Sequence, residues 1–196
     1  MEFILTFIRG AFTQADREDR FPGRIDCPPH PDGIARLREK ARLGLYPKTA
    51  AVFSSPLIRC VESARAIYPN AEIIIAEQLT AFDYGAFSGK TYGDIISQEQ
   101  FKDWAKADYL QAFPQGETPH AFIARCGEAL HTIIAHAQKE VLQSVSVITH
   151  HAVIGAILQR YSVPHCFYRD YPLGFGGGIS ATCKAQSASL RVLETF

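Results

Sequence analysis

The sequence contains no long apolar run, and this absence argues against a membrane protein. A helix that crosses a bilayer needs roughly 20 consecutive apolar residues, and no stretch of the 196 residues approaches that length. The short apolar run over residues 3–8 has neither a basic leader nor a small-residue cleavage site, so it does not resemble a signal peptide. We therefore expect a cytoplasmic protein with no membrane partner.

An excess of one charge is also missing. Lys and Arg together number 20, Asp and Glu together number 20, and the formal net charge is zero. Proteins that bind nucleic acid through bulk charge carry a basic excess. We therefore expect no nucleic-acid partner, although a local basic pocket is compatible with this balance.

The cysteines lack the spacing of a metal site or a disulfide framework. There are five of them, scattered along the chain, and no two form a C-x-x-C pair. Zinc sites and disulfide-rich folds depend on such regular spacing, so we expect reduced thiols. Repeats, low-complexity tracts and linkers are absent as well, and 196 residues fit one domain with a core of its own.

What the chain does contain is short apolar runs that alternate with helical spacing. The predicted strands cover residues 3–8, 50–53, 73–75, 145–148, about 179–183 and about 190–193. The predicted helices cover residues 32–41, 57–67, a region around 101–104, 118–138 and 152–158. Buried strands that alternate with helices predict an α/β three-layer sandwich, with a mostly parallel central sheet flanked by helices.

Three polar segments are expected to start helices. Asp32 precedes a helical pattern and is a candidate N-cap. Ser54 and Ser55 precede Pro56, which suits the first position of a helix. Thr118 precedes Pro119 in the same manner.

Polar side chains follow three of the predicted strands at their carboxyl ends. Arg9 follows the first strand, Ser55 and Arg59 follow the second, and His150 follows the strand over 145–148. In parallel sheets the ligand crevice lies beyond these ends. Two arginines and a histidine in one crevice suit an anionic ligand, because a guanidinium fork matches phosphate oxygens.

Five segments of the chain, in order, resemble the motifs of one family. The family motifs are R-H-G-x-T, S-S-x-L-x-R-x-x-x-[ST]-A, L-x-E-x-x-x-G-x-[WF]-x-G, P-x-G-E-[ST] and V-[ST]-H-x-x-[VI]-[IL]. The matching segments are 9–13, 54–64, 79–89, 114–118 and 148–154. The chain therefore resembles the histidine phosphatase superfamily, in its phosphoglycerate mutase-like branch, nearest to the α-ribazole and broad-specificity phosphatases.

This resemblance implies a domain organisation and a chemistry. It implies one histidine phosphatase-like domain over residues 1–196, with a variable cap or insert over about 78–117. It also implies that no metal and no cofactor take part.

Two departures from the family motifs bear on activity. The family's nucleophilic histidine aligns with Gly10, and its acidic glutamate aligns with Ala81. In the family the histidine attacks phosphorus and the glutamate protonates the leaving alcohol, and neither Gly10 nor Ala81 has a side chain for these steps. A general acid contributes about 10²–10⁴ in rate, and loss of a nucleophile in another enzyme class costs on the order of 10⁶.

The resemblance assigns the phosphate oxygens to Arg9, Arg59 and His150, with Thr13 bracing the phosphate site. His150 is also the retained catalytic histidine of the family. Asp16 falls where many family members have asparagine, and a carboxylate there would repel a phosphate if it faced inward.

Other residues have two interpretations each. Asp83 lies two positions beyond Ala81, so in an extended segment it could serve as a substitute acid, or it is a turn aspartate. Glu117 either lines the pocket or complements the N-terminus of the next helix. His151 either lines the pocket or packs beside it. A substitute nucleophile could come from His151 or His30, or from a water molecule activated by His150.

Three functions remain open at this point. The first is a degenerate histidine phosphatase-like protein that binds a small phosphorylated molecule or a phosphoprotein, with weak or no hydrolysis. The second is an active small-molecule phosphomonoesterase that uses a substitute nucleophile. The third is a non-catalytic interaction protein with a vestigial pocket. A homodimer also stays open.

Overall fold

One six-stranded sheet organises the computed structural model, which describes residues 1–106, 112–167 and 170–196. The strands are β1 (Glu2–Arg9), β2 (Ala51–Ser54), β3 (Ile73–Ile75), β4 (Ser144–Thr149), β5 (Gly178–Lys184) and β6 (Ser189–Thr195). Their order across the sheet is β3-β2-β4-β1-β5-β6. The first four strands of that order run parallel, whereas β5 pairs antiparallel with both β1 and β6. The prediction of a mostly parallel sheet is confirmed.

Helices cover both faces of this sheet. They are α1 (Gln14–Arg17), α2 (Pro31–Arg42), α3 (Ile58–Ile67), α4 (Tyr92–Ile96), α5 (Glu99–Lys106), α6 (Pro119–Lys139) and α7 (His151–Tyr161). Two 3₁₀ turns, Glu77–Leu79 and Gly85–Phe87, lie between β3 and α4. Helices α2 and α3 share one apolar core, and α6 and α7 share the other.

Alternation along the central strands separates the two cores. Phe7 of β1 and Val147 of β4 belong to the core under α6 and α7. Their neighbours Ile8 and Ile148 belong to the core under α2 and α3. Successive strand side chains point to opposite faces, so a continuous apolar run fills both cores, and the three-layer prediction is confirmed.

Two of the three predicted helix starts are wrong. Helix α2 begins at Pro31, and its N-cap is His30, whose ring accepts from the Asp32 N–H. Pro31 takes the first helical position because its fixed φ suits that place. Helix α3 begins at Ile58, later than Pro56 suggests.

The reason for the late start of α3 lies elsewhere in the chain. Leu57 is the N-cap residue and supplies no side-chain hydrogen bond. Instead, Asp26 Oδ1 accepts from the Ile58 N–H at 2.7 Å. By contrast, Thr118 caps α6 as predicted, because its hydroxyl oxygen accepts a hydrogen bond from the Ala121 N–H.

The segment predicted to be variable builds a small apolar cluster of its own. Phe87, Ile95 and Phe113 are buried there, and several half-buried aromatic rings pack against them. Residues 107–111 of this segment lie outside the described residues. Throughout the part of the chain that the structure describes, no helix has the length and apolarity to cross a membrane.

Candidate functional site

The candidate site lies at the carboxyl ends of β1, β2 and β4. The register of these strands places Arg9 beside Thr149 and Ser54 beside Ile148. A cavity of about 260 Å³ opens at this edge of the sheet. Its floor is formed by residues at or just beyond the strand ends: Arg9, Gly10, Arg59, Cys60, Thr149 and His150. Its walls come from α1 and from loops, and they include Asp16, Arg20, Phe21, Phe82, Tyr84 and Phe175.

Arg9 is oriented by the segment that precedes β5. Its Nη1 donates to the Leu173 carbonyl oxygen at 2.7 Å. Its Cζ atom lies 3.6 Å from the centroid of the Phe175 ring, a cation–π contact that fixes the guanidinium plane. Arg9 thus reaches the cavity floor with little freedom to move.

Arg59 is 5% exposed and is held by the loop that follows α1. Its Nη2 donates to the Gly23 carbonyl at 2.7 Å, and its Nη1 donates to the Ile25 carbonyl at 2.9 Å. Among the described residues, no hydrogen bond reaches its Nε. Arg59 therefore positions this loop and still presents a buried positive charge to the cavity.

His150 joins the end of β4 to the start of α7. The Ser55 hydroxyl lies 2.9 Å from its Nε2, within hydrogen-bond distance. Burial, and then the positive charges of Arg59, Arg125 and Arg9, hold the pKa of His150 well below its usual 6.5. The imidazole is therefore neutral at pH 7 in the ligand-free protein.

The first turn of α7 adds further anion-binding groups. His151 and Ala152, its first two residues, line the cavity. The N–H groups in the first turn of a helix have no intrahelical acceptor, and they attract anions. Two arginine cations and this helix end therefore meet at one place.

Gly10 leaves no side chain at the centre of the floor, and the Cys60 thiol is packed beside it. A Cβ atom at position 10 would lie 3.3 Å from Cys60 Sγ and 3.4 Å from Ser63 Oγ. The thiol also contacts the His150 ring, with Sγ 3.7 Å from Nε2. Burial raises the pKa of Cys60 to about 12, so this thiol is protonated at pH 7 and is a poor nucleophile.

Ala81 lines the cavity, but the two nearby acidic candidates do not. Asp83 turns away, with its Oδ1 accepting from the Gly85 N–H and its Oδ2 3.5 Å from Arg24. Glu117 accepts from Arg125 through both carboxylate oxygens, at 2.7 and 2.9 Å.

The surroundings of Glu117 keep its carboxylate charged. Burial raises its pKa, but the hydrogen bonds from Arg125 and the Asp83 N–H, with the positive charges of Arg125 and Arg24, outweigh burial and lower the pKa overall. A carboxylate held in this way does not donate a proton at neutral pH.

Of three further predicted residues, His151 lines the cavity, whereas Thr13 and His30 do not. Thr13 is buried outside its lining, and its hydroxyl donates to Asp16 Oδ2 at 2.7 Å. His151 lines the cavity, and burial is the main cause that lowers its pKa. His30 lies outside the lining. Its ring stacks on Phe12, and its Nε2 lies 3.0 Å from Arg17 Nη1.

Sequence reasoning missed Arg125 and the aromatic wall. Arg125 donates to the carbonyls of Gln78, Thr80 and Ala81, and so holds the chain at the cavity edge. The wall rings Phe21, Phe82 and Tyr84 lie on loops, where no periodicity marks them. Among the described residues, no three His, Cys, Asp or Glu side chains are grouped as a metal site.

Comparison with known proteins gives this site a family context. Residues 5–187 match the model of the histidine phosphatase superfamily (branch 1). Among curated proteins, "Putative phosphoserine phosphatase 2" from Hydrogenobacter thermophilus is 22% identical over 158 residues, which are 79% of this chain and 76% of that protein.

Two solved structures share the fold over nearly the whole chain. The alpha-ribazole phosphatase from Shigella flexneri has a TM-score of 0.82 and 21% identity, covering 97% of this chain and 96% of the other. A histidine-to-alanine mutant of phosphoserine phosphatase from Entamoeba histolytica, in complex with phosphoserine, has a TM-score of 0.77 and 18% identity, covering 98% and 96%.

Proposed function

Because the chain belongs to the histidine phosphatase superfamily, branch 1, we propose that it binds a phosphate monoester, with weak or no hydrolysis. The observation that carries this proposal is the composition of the cavity floor. Arg9, Arg59, His150 and the first turn of α7 attract a phosphate, while Gly10 has no side chain that could attack phosphorus. The binding groups are present and the nucleophile is not.

The residues that could act as the general acid support the same proposal. Ala81 cannot protonate a leaving alcohol, and the Glu117 carboxylate is held by Arg125 and Arg24. Asp83 accepts from its own turn and lies outside the cavity lining. Loss of a positioned acid alone reduces a rate by about 10²–10⁴.

The size of the cavity and one relative favour a small ligand. A volume of about 260 Å³ is below the roughly 300–1,000 Å³ of pockets for drug-sized molecules. In Entamoeba histolytica phosphoserine phosphatase, a mutant with one histidine replaced by alanine holds phosphoserine. Phosphate-ester binding thus survives loss of a histidine in that protein.

The test measures binding and turnover on the same samples. Titration calorimetry with inorganic phosphate and with orthovanadate should show binding. Hydrolysis of p-nitrophenyl phosphate between pH 4 and 9 should stay at or close to the level of the enzyme-free blank. A ligand at a hundredfold its Kd should also stabilise the protein by about 2.7 kcal/mol.

A pair of arginine variants separates the site from general charge. Arg9→Gln should weaken phosphate binding at least about tenfold, because a charged hydrogen bond contributes about 1.5–3 kcal/mol. Arg42→Gln removes the same charge from an exposed residue paired with Glu39, and binding should not change. Turnover that disappears in Arg9→Gln would instead identify an active phosphatase. Absence of any binding would indicate a vestigial pocket.

A further inference from the structure

The cavity has two chemically different sides. Its floor carries Arg9, Arg59 and His150, whereas the walls include three aromatic rings, the Asp16 carboxylate and the Arg20 guanidinium. The Tyr84 ring centroid lies 5.5 Å from that of Phe21 and 5.2 Å from that of Phe82. With the proposed phosphate on the floor, this part of the lining would face the group that the phosphate esterifies.

Asp16 supplies the carboxylate of that wall. It is half-buried on α1, and its Oδ2 accepts from both the N–H and the hydroxyl of Thr13 at 2.7 Å. Among the described residues, no hydrogen bond or ion pair reaches its Oδ1. The Thr13 contacts fix the carboxylate at the cavity, where its negative charge repels a phosphate dianion.

Two cations of the cavity lining, Arg20 and Arg59, already have partners. Arg20 donates to Glu18 Oε2 at 2.8 Å and to the Gly89 carbonyl, and its Nη1 is 4.0 Å from Asp94. Arg59 donates to carbonyls of the loop that follows α1, and its remaining charge serves the proposed phosphate. A positive group supplied by the ligand would therefore be the partner of Asp16.

Resting on the proposed phosphate binding, we propose that the ligand is a phosphomonoester whose alcohol carries an ammonium group. The ring faces of Phe21, Phe82 and Tyr84 and the Asp16 carboxylate attract the cation. Arg9, Arg59 and His150 hold the phosphate at the other end. Aromatic faces attract ammonium groups, and a ligand cation offsets the repulsion between Asp16 and the phosphate.

The test compares two esters that differ only in charge. Phosphocholine and 3,3-dimethylbutyl phosphate have the same shape, but the second has carbon in place of nitrogen. Titration calorimetry should give phosphocholine the lower Kd, by about threefold to thirtyfold, from a cation–π contribution of about 0.7–2 kcal/mol. Inorganic phosphate, titrated in parallel, reports on the floor alone.

Two variants address the wall directly. Asp16→Asn keeps an oxygen for Thr13 while removing the charge, so the preference for phosphocholine should fall and inorganic phosphate should bind more tightly. Asp103→Asn makes the same charge change on exposed α5 and should alter neither. Tyr84→Leu should reduce the preference without changing the affinity for inorganic phosphate.

The outcomes separate this inference from the proposed function. Equal Kd values for the two esters, with inorganic phosphate still bound, would overturn the ammonium inference and leave phosphate binding intact. Failure of all three ligands to bind would overturn both proposals.

Discussion

Replacement of Gly10 by histidine tests how closely the floor is packed around the missing side chain. The backbone at Gly10 has no left-handed φ, so a side chain meets no backbone strain there. Its Cβ, however, would lie 3.3 Å from Cys60 Sγ, 3.4 Å from Ser63 Oγ and 3.5 Å from the Arg59 carbonyl. The contact with Cys60 is closer than an ordinary van der Waals distance of about 3.5–4.0 Å.

The cost of this crowding can be estimated. Overpacking a well-filled site costs about 1–3 kcal/mol, and the imidazole beyond Cβ can enter the cavity. Cys60→Ala removes the closest atom of the three, at a cost of about 0.5–1.5 kcal/mol for a methyl-sized loss. The two substitutions should couple favourably by at least about 0.5 kcal/mol.

A double-mutant cycle measured by urea denaturation gives this coupling. The cycle combines Gly10→His with Cys60→Ala, and a second cycle combines Gly10→His with Cys126→Ala as the control. Cys126 is also buried, but it lies on α6 in the opposite core, so its cycle should be additive. Additive losses for Cys60 as well would refute the packing argument.

Two further predictions concern stability. The pKa values of His150 and His151 are lowered below 6.5 in the folded chain. As the pH falls, the unfolded chain therefore binds protons that the folded chain does not. The free energy of unfolding should fall from pH 7 to pH 5, by at most about 1.4 kcal/mol per pH unit for each group. Denaturation of His150→Gln across that range should show a shallower slope, and an unchanged slope would contradict the assignment. Asp26→Ala should destabilise the chain by about 0.5–2 kcal/mol, since it removes the acceptor for the Ile58 N–H. Asp26→Asn keeps that acceptor and should lose less in urea denaturation; equal losses would argue against the cap.

The placement of Arg9, Arg59 and His150 at one edge of the sheet could be predicted from sequence, because it follows from the order and direction of the strands. Each residue lies at or just beyond the end of an apolar run, and β1, β2 and β4 run parallel. Parallel neighbours bring their carboxyl ends to one edge. The five motifs in order also predicted the family, which the match over residues 5–187 confirms.

The features that sequence reasoning did not find depend on contacts between distant segments. Asp26 caps a helix that begins 32 positions later, so no local pattern at Ser54 or Pro56 reveals it. Arg125 lies on α6, a helix that the sequence predicts, but three of its acceptors are the carbonyls of Gln78, Thr80 and Ala81. Carbonyl groups carry no sequence signal, because every residue has one.

Arg59 shows why the two floor arginines are unequal probes of phosphate binding. Its guanidinium holds the loop through the carbonyls of Gly23 and Ile25, and that loop also carries Asp26, the cap of α3. Truncating Arg59 would remove the side-chain donor to the Gly23 carbonyl and one of the two donors to the Ile25 carbonyl, which also accepts from the Cys27 N–H. The α3 start would be disturbed as well, so a loss of binding would have two causes. The Arg9 contacts with the Leu173 carbonyl and the Phe175 ring lie in the segment before β5, away from the α3 start. Removal of Arg9 therefore changes the charge of the floor more selectively.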